Sequence, residues 1–138
     1  MTARAFAPVA ASIVGGGLSI RFRAAGGSMY PAILDGDVLT VSPVEAGAIA
    51  HGDVLLYLKG DRILAHRVVD VTVRDGEVRF DLRGDANGEC DEPVAAAQVI
   101  GRVDAIERAM TPRAMLAAVR RTSVIMRRYL SSWRRLLG

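Results

Sequence analysis

Four polar side chains have types and spacing that suit acyl-transfer chemistry. Ser28 follows Gly26-Gly27 and precedes Met29 and Pro31. Paired glycines let a chain turn sharply and approach a ligand closely. A serine in such a loop can point outward, with the backbone N–H groups of Gly26, Gly27, Ser28 and Met29 available to an oxyanion. The same residues also suit an ordinary turn. His66 lies in Ile63-Leu-Ala-His-Arg-Val-Val69, where strand alternation places it on one face with Leu64 and Val68. A partly buried imidazole beside a serine makes a suitable general base; on an apolar face it also reads as a hydrogen-bonded core residue. Asp85 and Asp91 share the segment Arg83-Gly-Asp-Ala-Asn-Gly-Glu-Cys-Asp91. A buried aspartate fixes the tautomer of a histidine base and stabilises its charge. Either acid also reads as a loop acid or cation ligand, although the spacing is not that of an EF-hand.

The elements that must position these groups read mostly as strands. Leu18 to Ala24 alternates apolar and polar residues, and Gly26-Gly27 breaks it. Ser28 to Leu34 reads as a short turn or helical segment. Asp35-Gly36-Asp37 turns into the strand Val38 to Val41, and Gly52-Asp53 into Val54 to Leu58. Lys59-Gly60-Asp61 fits a hairpin loop before the longest strand, Arg62 to Val73. Asp75-Gly76 leads into Glu77 to Leu82, Gly84 to Pro93 is loop-like, and Val99 to Ile106 is the last strand. The expected fold is mainly β: a compact antiparallel domain over 1–107, followed by one C-terminal amphipathic helix over 108–138.

Composition narrows the class. With 138 residues, about half apolar, the chain suits one domain with a core of Val, Ile, Leu and Ala. The one cysteine, Cys90, cannot close an intramolecular disulfide, and no Cys/His cluster has zinc spacing, so no metal or cofactor is expected. The longest uncharged apolar stretch, Ala5 to Ile20, has sixteen residues and contains Pro8 and Gly15-Gly16-Gly17. It is short for a bilayer span and poor for a helix, and reads only weakly as a signal peptide. His51 sits in a turn and is expected to be exposed.

The ordered motifs carry a resemblance. Gly27-Ser-Met-Tyr-Pro-Ala-Ile-Leu-Asp-Gly-Asp-Val38 resembles the first box of the signal peptidase I superfamily, which shares its serine peptidase clan with the LexA repressor. Gly52-Asp53-Val54 with Ile63 to Val69 is similar to the second region, Arg83 to Asn87 with Asp91 to the third, and Val99-Ile-Gly-Arg-Val103 to the closing strand. The matches cover roughly residues 18–106. Where many members have a lysine base, this chain has His66, as in the endoplasmic-reticulum and archaeal branch. Lys59, the only lysine, falls in a hairpin turn and makes a poor base candidate. The resemblance implies Ser28 as nucleophile, His66 as base, Asp91 as the orienting carboxylate and Asp85 in support, with the two aspartates open to exchange of roles. It also implies a polypeptide substrate with small residues beside the cut. Two departures stand out. Gly26 occupies a position where many members carry an oxyanion-binding serine, and the usual N-terminal membrane anchor has no counterpart.

Charge is divided unevenly. Residues 1–107 hold ten basic and fifteen acidic side chains, whereas residues 108–138 hold eight arginines and no acid. Thr111-Pro112 reads as a helix start. Arg113, Arg120, Arg121, Arg127, Arg128, Arg134 and Arg135 repeat every seven residues, a cationic stripe beside an apolar face that includes Trp133. That face packs on the β domain, lies on an anionic membrane surface through Arg120 to Arg135 and Trp133, or meets a partner macromolecule. No nucleic-acid partner is expected. The reading is therefore a serine endopeptidase acting on precursor or exported polypeptides, peripheral to a membrane or cytoplasmic, with no transmembrane segment. The alternatives are a soluble LexA-like processing protease and a catalytically degenerate peptidase fold used for binding.

Overall fold

Short β-prone segments punctuated by Gly-Asp pairs form one antiparallel sheet. The structure is a computed structural model and describes residues 3–108, with side chains from Phe6 onward. It contains β1 (Ile20–Arg23), β2 (Val38–Ser42), β3 (Val54–Lys59), β4 (Arg62–Arg74), β5 (Glu77–Arg83), β6 (Val94–Ala95) and β7 (Val99–Glu107). One α-helix, α1 (Ala3–Gly15), and two single-turn 3₁₀ segments complete the described elements. The sheet order is β1-β2-β7-β3-β4-β5-β6, with every neighbouring pair antiparallel. β7 slots between β2 and β3 and so joins the β1–β2 pair to the β3–β6 meander.

Turn chemistry explains the strand boundaries. Leu34–Asp37 and Ala50–Asp53 are the same turn used twice. In each, the aspartate N–H donates to the carbonyl three residues back, at 3.0 and 3.1 Å. Its carboxylate then accepts the N–H of that same residue, at 2.8 and 2.9 Å. The two turns launch β2 and β3. Gly60-Asp61 closes a two-residue hairpin, pairing Lys59 with Arg62 and Leu55 with His66. Asp75 and Gly76, at φ 54° and 77°, have the positive dihedrals of a type I′ turn.

Two apolar clusters cover β3, which is buried from Val54 to Tyr57. One gathers Leu55, Tyr57, Val68, Phe80, Leu82 and Val94. The other gathers Met29, Ile33, Leu39 and Val54. Met29 and Ile33 come from the β1–β2 connection, so burial anchors the loop that carries Ser28. Each such side chain contributes about 1.5–3 kcal/mol.

The N-terminal segment corrects the sequence expectation. Residues expected to make a poor helix form α1, despite Pro8. Ala7, Ala10 and Val14 are buried, and this tertiary packing outweighs weak propensity. The glycine run does not prevent the helix but ends it. Gly17, at φ 90°, donates to Val14, and Leu18 donates to Ile13, a Schellman cap. β6 and the 3₁₀ turns were too short to register as a periodic pattern. The expected helix from Thr111-Pro112, with its arginines and Trp133, lies outside the described residues. Among the described residues no helix is long and apolar enough to cross a membrane.

Candidate active site

The β1–β2 connection is cinched at its base. Ala24 N–H donates to Asp37 O at 2.7 Å and Gly36 N–H donates to Ala24 O at 2.8 Å. Within the loop, Tyr30 N–H reaches Gly27 O at 3.1 Å and Ile33 N–H reaches Met29 O at 3.0 Å, a turned backbone around Ser28. A second loop, between β5 and β6, clamps it from outside. Ala86 N–H donates to Ser28 O at 2.9 Å, and Asp85 N–H points at Met29 Sδ at 3.4 Å. This approach requires Gly84, because a Cβ there would lie 2.5 Å from Ser28 O.

His66 sits mid-strand in β4, opposite Leu55, and only 4% of it is exposed. Its Nε2 is 3.0 Å from Ser28 Oγ. Its Nδ1 is bonded to Asp91 Oδ2. Asp91 has only acceptors when ionised, so Nδ1 carries the proton and Nε2 is left to accept from the Ser28 hydroxyl. The Asp91 main chain is itself held, its N–H donating to Leu82 O at 2.7 Å.

Tyr57 completes this cluster. Its hydroxyl donates to Asp91 Oδ2 at 2.6 Å and lies 3.1 Å from His66 Nδ1, and the residue is fully buried. The sequence reading treated Tyr57 only as a strand residue. The signal was available, however: the two-residue hairpin fixes Tyr57 opposite Leu64 and Leu55 opposite His66, which places Tyr57 and His66 on one face as diagonal neighbours.

Burial opposes the charge on Asp91, but hydrogen bonds from Tyr57 and His66 outweigh it and hold the carboxyl below its ordinary value. Burial, reinforced by Asp91, pushes the Tyr57 phenol far above its ordinary range. Tyr57 therefore stays a neutral donor.

Asp85 takes a separate place. It accepts two bonds from Arg67, Nε to Oδ1 and Nη2 to Oδ2, both at 2.8 Å. Arg67 also donates to Gly52 O at 2.8 Å. This bidentate pair lowers the Asp85 carboxyl against the opposing effect of burial. Neither Asp85 oxygen bonds His66, so the exchange of roles left open by the sequence resolves geometrically, with Asp91 on the imidazole.

One oxyanion candidate is corrected. The Gly26 N–H donates to Asp35 Oδ1 at 3.0 Å and is thereby committed within the loop. Among the described residues no protein acceptor takes the N–H of Gly27, Ser28 or Met29. His51 is exposed in its turn, as expected. No cluster of three or more His, Cys, Asp or Glu poised for a metal occurs among the described residues.

A scan against known protein families returns no match, and no curated protein matches the chain.

Proposed function

We propose that the chain is a serine endopeptidase with a LexA- and signal-peptidase-like catalytic domain. The observation that carries this reading is the Ser28–His66–Asp91 array. Three residues far apart in sequence converge, with Nε2 at 3.0 Å from the hydroxyl and a carboxylate on the other ring nitrogen. A hydrogen-bonded core histidine needs one partner, whereas this one is held between a nucleophile and an orienting acid.

In the proposed reaction Ser28 Oγ attacks the carbonyl carbon of a peptide bond as its proton passes to His66 Nε2. Collapse of the tetrahedral adduct breaks the C–N bond, and His66 returns the proton to the departing amine. Water then attacks the acyl-enzyme, giving up a proton through His66, and releases the acid and Ser28. Asp91 keeps the imidazole oriented and stabilises its transient charge. The free N–H groups of Gly27, Ser28 and Met29 are the oxyanion donors in this scheme.

The open edge of β4 supports a peptide substrate. Gly52 N–H donates to Val68 O at 2.9 Å and Val68 N–H donates to Asp53 O at 2.7 Å. Alternation then turns the main chain of Ile63 and Ala65 to the opposite side. There β5 pairs with β4 only from Arg67 onward. An extended peptide can add to that edge as a strand, its carbonyl beside Ser28.

A fluorophosphonate tests the reading. Ser28 Oγ bonds to phosphorus, fluoride leaves, and His66 takes the hydroxyl proton. One adduct on Ser28 is expected in wild type, none in Ser28→Ala, and labelling slower by about a hundredfold or more in His66→Ala. A folded wild-type protein that takes no label, or equal labelling of Ser28→Ala, contradicts it.

The proposal extends to peripheral attachment at an anionic membrane through the arginine-rich residues 108–138. Full-length protein should co-sediment with phosphatidylglycerol vesicles and lose that binding when Arg127, Arg128, Arg134 and Arg135 are all changed to Gln. Equal sedimentation with neutral vesicles contradicts the attachment.

A further inference from the structure

The cleft beside Ser28 has a wall that the chemistry above does not use. A cavity of about 460 Å³ contains Ser28 in its lining. Its lining mixes the small residues Ala24, Ala25, Gly26 and Ala65 with larger apolar ones such as Met29 and Leu64. Its aromatic wall is Phe6 from α1 and Phe22 from β1, whose ring centroids are 5.2 Å apart and tilted by 57°. Among the described residues, Arg23 is the one charged member of the lining and none is acidic.

We propose that α1 is part of the substrate site, with Phe6 and Phe22 walling a pocket for one large apolar side chain on the residue whose carbonyl Ser28 attacks. This rests on the peptidase reading and names its substrate class: peptides with a leucine-like or phenylalanine-like residue before the cut. Cavities of this size hold much more than a methyl group. The small lining residues leave room for a wide side chain, and the aromatic pair rewards it with contact. An alanine side chain would leave that wall without a partner and forfeit its dispersion contacts. A basic side chain would lose hydration with no acid among the described lining residues to match it. The competing occupant is a pair of small side chains two residues apart on an extended strand, spaced about 7 Å. That arrangement is the one the family resemblance implies.

The test compares inactivation rates of the full-length protein by three peptidyl diphenyl phosphonates that differ only in the side chain next to phosphorus: methyl, isobutyl or benzyl. The isobutyl and benzyl probes should react about tenfold or more faster than the methyl probe, the discrimination a hydrophobic pocket gives. Phe6→Trp, which fills the cavity, should shift the benzyl-to-methyl ratio toward methyl by about tenfold. Circular dichroism checks that the variant is folded, and the wild-type ratio stands independently of it. Equal rates for the three probes, or a fastest rate for methyl, overturn the large pocket while leaving the peptidase reading intact. A ratio unchanged in folded Phe6→Trp overturns the part assigned to α1. Failure of all three probes on folded protein removes the peptidase reading, and this inference with it.

Discussion

The loop between β5 and β6 carries a carboxylate near each end, and the two ends meet different surroundings. At the far end Asp91 meets an imidazole and a buried phenol, with Tyr57 and His66 sharing one of its oxygens. At the near end Asp85 meets the guanidinium of Arg67 in a two-pronged pair. Both carboxyls are held below their ordinary values, yet for different reasons. Neutral and weakly basic donors do this for Asp91, and a permanent cation does it for Asp85. The first arrangement leaves a proton path open through the ring to Ser28. The second is closed, because arginine gives up no proton, and it serves to hold the loop against β4. Residue type alone does not separate these roles; the partners do.

The largest effect should come from the far end. Asp91→Asn should lower kcat by about 10⁴-fold, because an amide offers the imidazole a donor and favours the wrong tautomer. Steady-state hydrolysis of a cleavable peptide measures this. A loss as large in Asp85→Asn would erase the contrast between the two ends. Next comes Gly84→Ala, whose Cβ would meet the Ser28 carbonyl oxygen at 2.5 Å and push the nucleophile's loop away. Displacement by about an ångström predicts a fall of about a hundredfold in kcat, with labelling of Ser28 slowed in parallel.

Tyr57→Phe sharpens the account of the far end. Losing a hydrogen bond to a charged group, worth about 1.5–3 kcal/mol, predicts a fall of about tenfold to a hundredfold in kcat/KM. Little further loss should appear when the change is combined with Asp91→Asn, because the hydroxyl acts through that carboxylate. Fully additive losses would assign Tyr57 another role.

Asp85→Asn should have the smallest effect on catalysis, below about tenfold, and should act mainly on stability. Its partly buried ion pair, with the Arg67 side chain 34% and the Asp85 side chain 20% exposed, contributes about 1 kcal/mol, a few degrees in melting temperature. The pH dependence has a definite sign. Both carboxyls bind protons more weakly in the folded state than in the unfolded chain. Their contribution to stability is therefore complete above the ordinary carboxylate value of about 4, and is lost as pH falls through their depressed folded-state values. Asp85→Asn should flatten that acid decline, and melting curves across acidic pH measure it.

Much of this architecture is legible before folding. Gly-Asp turns and apolar patterning mark six of the seven strands among the described residues, because these signals are local. Ser28, His66 and Asp91 stand out for the same reason, since each lies in a short, distinctive run. α1 was hidden because its stability comes from Ala7, Ala10 and Val14 burying against distant strands, which outweighs Pro8. The roles of Asp85 and Asp91 could not be separated in sequence, since their partners His66 and Arg67 are neighbours in β4 and only the path of the folded loop decides which aspartate meets which. The commitment of Gly26 to Asp35 likewise depends on how the loop folds back on itself. Tyr57 is the one member of the site that hairpin register would have disclosed.

The central claim is that one nitrogen of His66 is bound to Asp91 and the other faces Ser28. The chain has only two histidines, so proton–nitrogen NMR of labelled protein can observe this imidazole directly. The account predicts a strongly deshielded, slowly exchanging proton on Nδ1 of His66. It should persist in Ser28→Ala and Asp85→Asn and disappear in Asp91→Asn. A proton residing on Nε2 in the resting protein, or an Nδ1 signal indifferent to Asp91→Asn, would contradict it.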